Sequence, residues 1–124
     1  MNLRTTLIKA SKKLKKNNIK TFQIDSEILL ANTINKDRKY VILNFNDQIK
    51  KIYLKKFNEL VDRRSKGEPV AYLIKKKEFW NETFYINKKV LIPRPDTEII
   101  VEAVLSMFPK NSKLQMLDIG TGSG

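Results

Sequence analysis

The chain contains no cysteine and no histidine. These absences remove disulfide frameworks, thiol nucleophiles, Cys/His zinc sites and every histidine-based catalytic triad, so no metal site is expected and any chemistry must use other groups. Long hydrophobic runs are missing too. None approaches the roughly 18 to 20 apolar residues needed to span a bilayer, so no membrane association is expected. The start, Met1-Asn2-Leu3-Arg4, leads into an amphipathic basic pattern rather than an apolar signal core. The expected location is therefore the cytoplasm. Acidic residues are few: 13, against 25 Lys and Arg, for a net charge of +12 over 124 residues.

Such an excess of positive charge invites a nucleic-acid reading, since cationic surfaces displace counterions from phosphates. Composition weakens it. Twenty of the 25 basic residues are Lys, alongside 14 Ile and 11 Asn, a bias that AT-rich codon usage produces without any ligand. Contact with nucleic acid is allowed by the charge but not required by it. Hydrophobic residues make up 41%, enough for one ordinary core but not for two. Their periodicity excludes a disordered tail.

Leu3, Leu7, Ala10 and Leu14 recur at spacings of 4, 3 and 4, with Lys9, Lys12, Lys13 and Lys16 elsewhere on the turn, which predicts an amphipathic helix. That basic face reads as solvated surface. Asn17-Asn18 interrupts the pattern. Ile24, Ile28, Leu29, Ala31 and Ile34 then predict a second helix, with Asp25 and Glu27 near its anion-favouring start. After the short apolar piece Tyr40–Leu43, Asn46-Asp47 offers a cap to a longer helix striped by Ile49, Ile52, Tyr53, Phe57, Leu60 and Val61. Arg63, Arg64 and Lys66 suit its negative end, and Gly67 suits a left-handed stop. Pro69 is expected to open a further short helix as its first residue. About five helical pieces with short connections read as a small bundle.

The period changes after Lys77. Phe79-Trp80, Phe84-Tyr85-Ile86 and Val90-Leu91-Ile92 are aromatic and β-branched runs split by Asn81-Glu82 and Asn87-Lys88, as in small antiparallel strands. The aromatic residues near a lysine run superficially suggest a base-stacking platform, but alternate positions of a hairpin explain them better. Pro93-Arg94-Pro95 must stay extended. Asp96 or Thr97 is expected to cap a helix whose inward stripe is Ile100, Ala103, Val104 and Met107, stopped by Pro109.

Leu114–Ile119 reads as a short apolar strand running into Gly120-Thr121-Gly122-Ser123-Gly124. A strand followed by a glycine-rich turn brings backbone N–H groups close to a nucleotide-bearing ligand, because a Cβ would block the approach. The spacing is Asp-x-Gly-x-Gly-x-Gly rather than the Gly-x-Gly-x-x-Gly of dinucleotide binders. It resembles motif I of the class I methyltransferases that bind S-adenosylmethionine. The chain ends there, without the later acidic residue that would hold ribose hydroxyls. It is therefore expected to be the front part of a longer protein.

Four segments in order, Gly67–Leu73, Glu78-Phe79-Trp80, Leu91–Glu98 and Leu117–Gly124, resemble the HemK-type release factor glutamine methyltransferases. Asp25–Ala31 is similar to the second helix of that family's N-terminal domain. The resemblance implies a fold of class α + α/β: an N-terminal helical bundle over 1–75, a β-hairpin linker over 76–95, and over 96–124 the first helix and strand of a truncated Rossmann-like class I methyltransferase domain. It implies S-adenosyl-L-methionine as cofactor, held by Asp118, Gly120, Thr121, Gly122, Ser123 and Gly124. It also implies class 1 peptide chain release factors as partners, methylated on the side-chain nitrogen of the glutamine in their Gly-Gly-Gln loop, with the N-terminal domain helping to grip them. Arg94, held between two prolines, is expected to order the cleft or meet the substrate. No catalytic residue is expected in this stretch, because the family's Asn-Pro-Pro-Tyr motif lies beyond Gly124. Pro95-Asp96-Thr97-Glu98 favours the release factor branch over the sister branch that methylates a ribosomal protein, where Ser-Pro usually follows Pro-Arg. A non-catalytic basic helical binding module is the alternative from another class. One departure stands out: the family commonly carries glycine where this chain has Lys75.

Overall fold

The computed structural model describes residues 1–124, which divide into two units, Met1–Ile74 and Lys75–Gly124. The first is entirely helical: α1 (Leu3–Lys16), α2 (Phe22–Ile34), α3 (Arg38–Leu43), α4 (Lys51–Ser65) and α5 (Val70–Ile74). In α1 the predicted stripe Leu3, Leu7, Ala10 and Leu14 is buried throughout. Three of the donors at its start find partners. Asn2 Oδ1 accepts from Thr5 N–H, while Leu3 and Arg4 donate their N–H groups to the carbonyls of Asp47 and Phe45. The α3–α4 connection thus takes two of the donors that a helix N-terminus leaves open. At the other end Asn17 caps and Asn18 adopts a left-handed φ of 59°, which breaks the helix where the sequence predicts.

The central element is α2, which packs against all four other helices of its unit. Being surrounded, it buries Leu29, Leu30 and Ala31 together with polar Asp25, Ser26, Glu27 and Thr33, so its apolar residues follow no single stripe. Ile24, expected to face inward, is exposed. Around α2 the core gathers Leu14, Val41, Ile49, Phe57, Leu60, Val61 and Leu73.

Local details depart from the sequence reading or complete it. Tyr40–Leu43 lies within helix α3, nucleated by Asp37, whose Oδ1 accepts from Tyr40 N–H at 2.7 Å. Neither Asn46 nor Asp47 caps α4. That helix starts at Lys51 after Lys50, because the Asp47 backbone carbonyl is committed to α1 and its carboxylate accepts the Tyr40 hydroxyl at 2.6 Å. Ile52 and Tyr53, counted in the α4 stripe, sit on its outward side. Pro69 stands just before α5 rather than inside it, and its carbonyl accepts from Tyr72 and Leu73. Gly67 takes the left-handed position (φ 96°) that ends α4.

The second unit opens with a hairpin. Strands β1 (Lys76–Phe79) and β2 (Glu82–Tyr85) pair antiparallel, with Lys77 opposite Phe84 and Phe79 opposite Glu82. The two-residue loop Trp80-Asn81 has φ of 50° and 61°, the left-handed pair whose twist matches a hairpin. Phe79 and Phe84 meet edge to face at 6.2 Å. Beyond them Val90–Ile92 forms a turn and extended backbone instead of a third strand. A 3₁₀ turn (Pro95–Thr97) then leads into α6 (Glu98–Met107). Asp96 and Thr97 make no side-chain cap, since the 3₁₀ turn already fills that position. The expected inward stripe of α6 is not covered: Ile100 and Met107 are 64% and 65% exposed.

Six helices and one two-stranded sheet make the fold α+β. The Leu114–Ile119 strand does not form. The segment is irregular and exposed, because a strand needs a neighbour to take its N–H and C=O groups and this one has none.

Candidate functional site

The residues singled out for a cofactor lie together at one end of the second unit. Asp118 is exposed on irregular backbone, followed by a loop in which Gly120, Gly122 and Gly124 adopt φ of 78°, 62° and 107°. Those angles favour glycine, so the alternating spacing has a conformational basis in the chain itself. Thr121 C=O accepts from Gly124 N–H at 3.1 Å, closing a tight turn around Gly122 and Ser123. A Cβ built on any of the three glycines meets no atom within 4 Å, so the loop is one open rim rather than a walled pocket. Its donor set, a carboxylate beside glycine peptide N–H groups, suits the ammonium and carboxylate of an amino-acid ligand.

Arg94 is extended (φ −98°, ψ 141°) and its carbonyl accepts from Thr97 N–H, so its backbone starts the 3₁₀ turn while its side chain is exposed. Nothing joins it to the Asp118–Gly124 loop in a hydrogen bond or ion pair. Glu98 has a role beyond a first-turn acid: its Oε1 accepts the Trp80 N–H at 2.9 Å, pinning the hairpin tip to the start of α6. The sequence reading broke the strands at Asn81-Glu82; the structure instead puts Glu82 in β2 and Trp80 in the two-residue loop, where its left-handed conformation frees its N–H from the ladder.

In the first unit, Asp25-Ser26-Glu27 proves to be a set of tie-points. Asp25 Oδ2 accepts from Arg64 Nε at 2.7 Å and from the Thr21 hydroxyl at 2.8 Å, joining α2 to α4. The same guanidinium donates to the Glu68 carbonyl. Ser26 Oγ donates to the Phe22 carbonyl and accepts from Ser11, and Glu27 pairs with Arg38 at 2.6 Å. Glu68 also holds the Arg63 fork, which raises the Arg63 pKa above its ordinary value. The hydrogen bond to Asp47 likewise raises that of Tyr40. Lys13, part of the predicted basic face, pairs with Asp62 of α4. A cavity of about 440 Å³ opens between α1 and α2, and neither Arg94 nor any residue of the Asp118–Gly124 loop lines it.

These features define a class: a compact five-helix module tied by three carboxylate–guanidinium pairs, followed by a hairpin, a helix and a glycine loop. Residues 5–74 match the family model described as the PrmC N-terminal domain, and the chain belongs to that family. Across its whole length it is 44% identical to the release factor glutamine methyltransferase of Buchnera aphidicola (subspecies Schizaphis graminum) and 41% identical to that of Clostridium acetobutylicum, covering 44% of each. A bifunctional methyltransferase of Rickettsia felis is 43% identical over 99% of the chain, which covers 28% of that protein. The chain therefore spans less than half the length of these relatives. No helix is long and apolar enough to cross a membrane.

Proposed function

We propose that this chain is the N-terminal part of an enzyme that transfers a methyl group from S-adenosyl-L-methionine to the side-chain amide nitrogen of the glutamine in the Gly-Gly-Gln loop of class 1 peptide chain release factors. The observation that carries the reading is the alignment of all 124 residues with proteins named release factor glutamine methyltransferase at 41–44% identity. The work is assigned to the cytoplasm. In this reading 76–95 is the linker and 96–124 begins a Rossmann-like catalytic domain.

Asp118 and the loop 120–124 would hold the cofactor's methionine part: the carboxylate facing its ammonium, the loop N–H groups facing its carboxylate. The cofactor supplies an electrophilic methyl group on a sulfonium. The chain's own task is binding and orientation. A carboxamide nitrogen is a poor nucleophile because its lone pair is delocalised into the carbonyl, so rate must come from placing it and stabilising the attacking geometry. Arg94, exposed on a segment stiffened by Pro93 and Pro95, is proposed to order the cleft that receives the substrate loop.

The test is methyl transfer by the protein extended to the length of its relatives. It should label a class 1 release factor from labelled S-adenosylmethionine, while the 124-residue chain labels nothing. Label on a large-subunit ribosomal protein instead would move the assignment to the sister branch. Label on neither would remove it.

A further inference from the structure

We infer that the groove between α1 and α2 is a docking site for an acidic, amphipathic segment of a protein partner. The proposal stands on the first unit alone and does not depend on the methyltransferase reading.

The groove has the size of a specific ligand site, about 440 Å³, within the usual range of roughly 300 to 1,000 Å³. Its apolar floor consists of Leu7 and Ile8 from α1, Phe22 from α2 and Phe45 from the α3–α4 connection. Ile8 and Phe45 are 46% and 38% exposed, so large apolar surface faces solvent beside a buried core residue. Along the rim stand Arg4, Lys12 and Lys15, one each from successive stretches of α1. None of the three forms an ion pair within the chain. The acid that lines the groove, Glu27, is already committed to Arg38. The groove is therefore an apolar trough with an uncompensated cationic edge.

The charge around it is not spread over the molecule. Met1–Ile74 carries 17 basic against 7 acidic residues, a net of +10, whereas Lys75–Gly124 carries 8 against 6, a net of +2. Lysine is spread nearly evenly, 13 in the first unit and 7 in the second, so the difference comes from the arginines, four against one, and from the sparser acids of the first unit. A partner that brings carboxylates to the rim and a few aliphatic or aromatic anchors to the floor satisfies both features together, and the surrounding field speeds its arrival.

Nucleic acid fits less well. Of the two aromatic rings in the floor, Phe22 is covered by Lys15, whose Nζ sits 5.6 Å from its centroid, which leaves Phe45 alone for a stacked base. A phosphate backbone would use the rim and leave the Leu7, Ile8 and Phe45 surface wet.

The experiment is a two-dimensional NMR titration of the isotopically labelled 124-residue protein. Its probe is a designed helical peptide bearing Glu on one face and Leu/Phe at i, i+3, i+4 and i+7 on the other. The same peptide with Gln for every Glu, and a single-stranded oligo-uridine, serve as comparison probes. The expected result is shifts centred on Leu7, Ile8, Phe22 and Phe45 with the Glu peptide, and at least tenfold weaker binding of the Gln peptide. Arg4→Glu and Lys12→Glu should each weaken the Glu peptide about fivefold, whereas Lys56→Glu on α4 should not. Both rim residues are exposed, so these variants keep the fold, which circular dichroism verifies. Ile8→Ser should weaken both peptides. Equal binding of the Glu and Gln peptides, tighter binding of the oligonucleotide at the same residues, or no shifts in the groove would each overturn the proposal.

Discussion

Lys75 carries the most local tension between sequence and backbone. It holds φ at 60° at the junction of α5 and β1, and its carbonyl accepts from Ile86 N–H, so the conformation is fixed by the hairpin base. A left-handed conformation costs an L-residue about 1–2 kcal/mol, offset in part by glycine's greater unfolded entropy. Lys75→Gly should therefore raise stability by about 0.5–1 kcal/mol, read from the denaturant midpoint; an unchanged or lower midpoint would contradict the strain. The sequence marked Lys75 as a position where the resemblance leads one to expect glycine, and its positive φ is a conformation that glycine adopts readily. Arg64 presents the opposite case. With side-chain exposures of 17% and 8%, Arg64 and Asp25 form a pair whose breakage leaves a largely buried carboxylate. Arg64→Ala should cost about 2–3 kcal/mol, and a double-mutant cycle with Asp25→Ala should recover part of it. Sequence reading placed Arg64 at a helix end, since the partner 39 positions away is a tertiary fact. Tyr40 supplies a pH signature. Its phenol donates to Asp47, and that bond holds the phenol pKa above 10. Folded-state pKa raised means that the bond's contribution is complete below the unfolded value and is lost as pH climbs through the folded one. Ultraviolet titration should show one of the four tyrosines ionising late, and Tyr40→Phe should delete that phase.

Among the elements, α1 was legible and α2 was not. A helix covered on one side keeps a 3.6-residue stripe, and Leu3, Leu7, Ala10 and Leu14 show it. One surrounded by four helices buries residues on every side, so Ser26 and Thr33 go inside by bonding the carbonyls of Phe22 and Leu29 four residues back. Leu29→Ala should then cost about 3 kcal/mol, because a fully buried leucine in a surrounded helix leaves a cavity that little can fill; a loss under about 1 kcal/mol would contradict that packing. The segment 114–119 was misread for a related reason: alternating apolar character states what a strand could bury, whereas pairing needs neighbours that this chain does not supply. The candidate loop was legible because Gly-x-Gly-x-Gly encodes its own backbone angles. The α1–α2 groove was not, since Phe45 reaches it only through the bonds that join Arg4 and Leu3 to the α3–α4 connection.

At the scale of the whole molecule the two units differ in how much they bury. Met1–Ile74 holds 13 of the 14 buried hydrophobic residues, and only Ile86 represents Lys75–Gly124. Amide hydrogen exchange should accordingly find the protected amides in α1, α2 and α4, with 112–119 exchanging at nearly the unfolded rate. That contrast places the finished core in the unit that matches the family model, residues 5–74. The most direct test is mass spectrometry on a class 1 release factor after reaction with the protein extended to the length of its relatives, wild type against Asp118→Ala. The account predicts one added methyl on the side-chain nitrogen of the Gly-Gly-Gln glutamine, with the yield reduced at least tenfold by the substitution. A methyl placed elsewhere, or transfer undiminished without the Asp118 carboxylate, would contradict it.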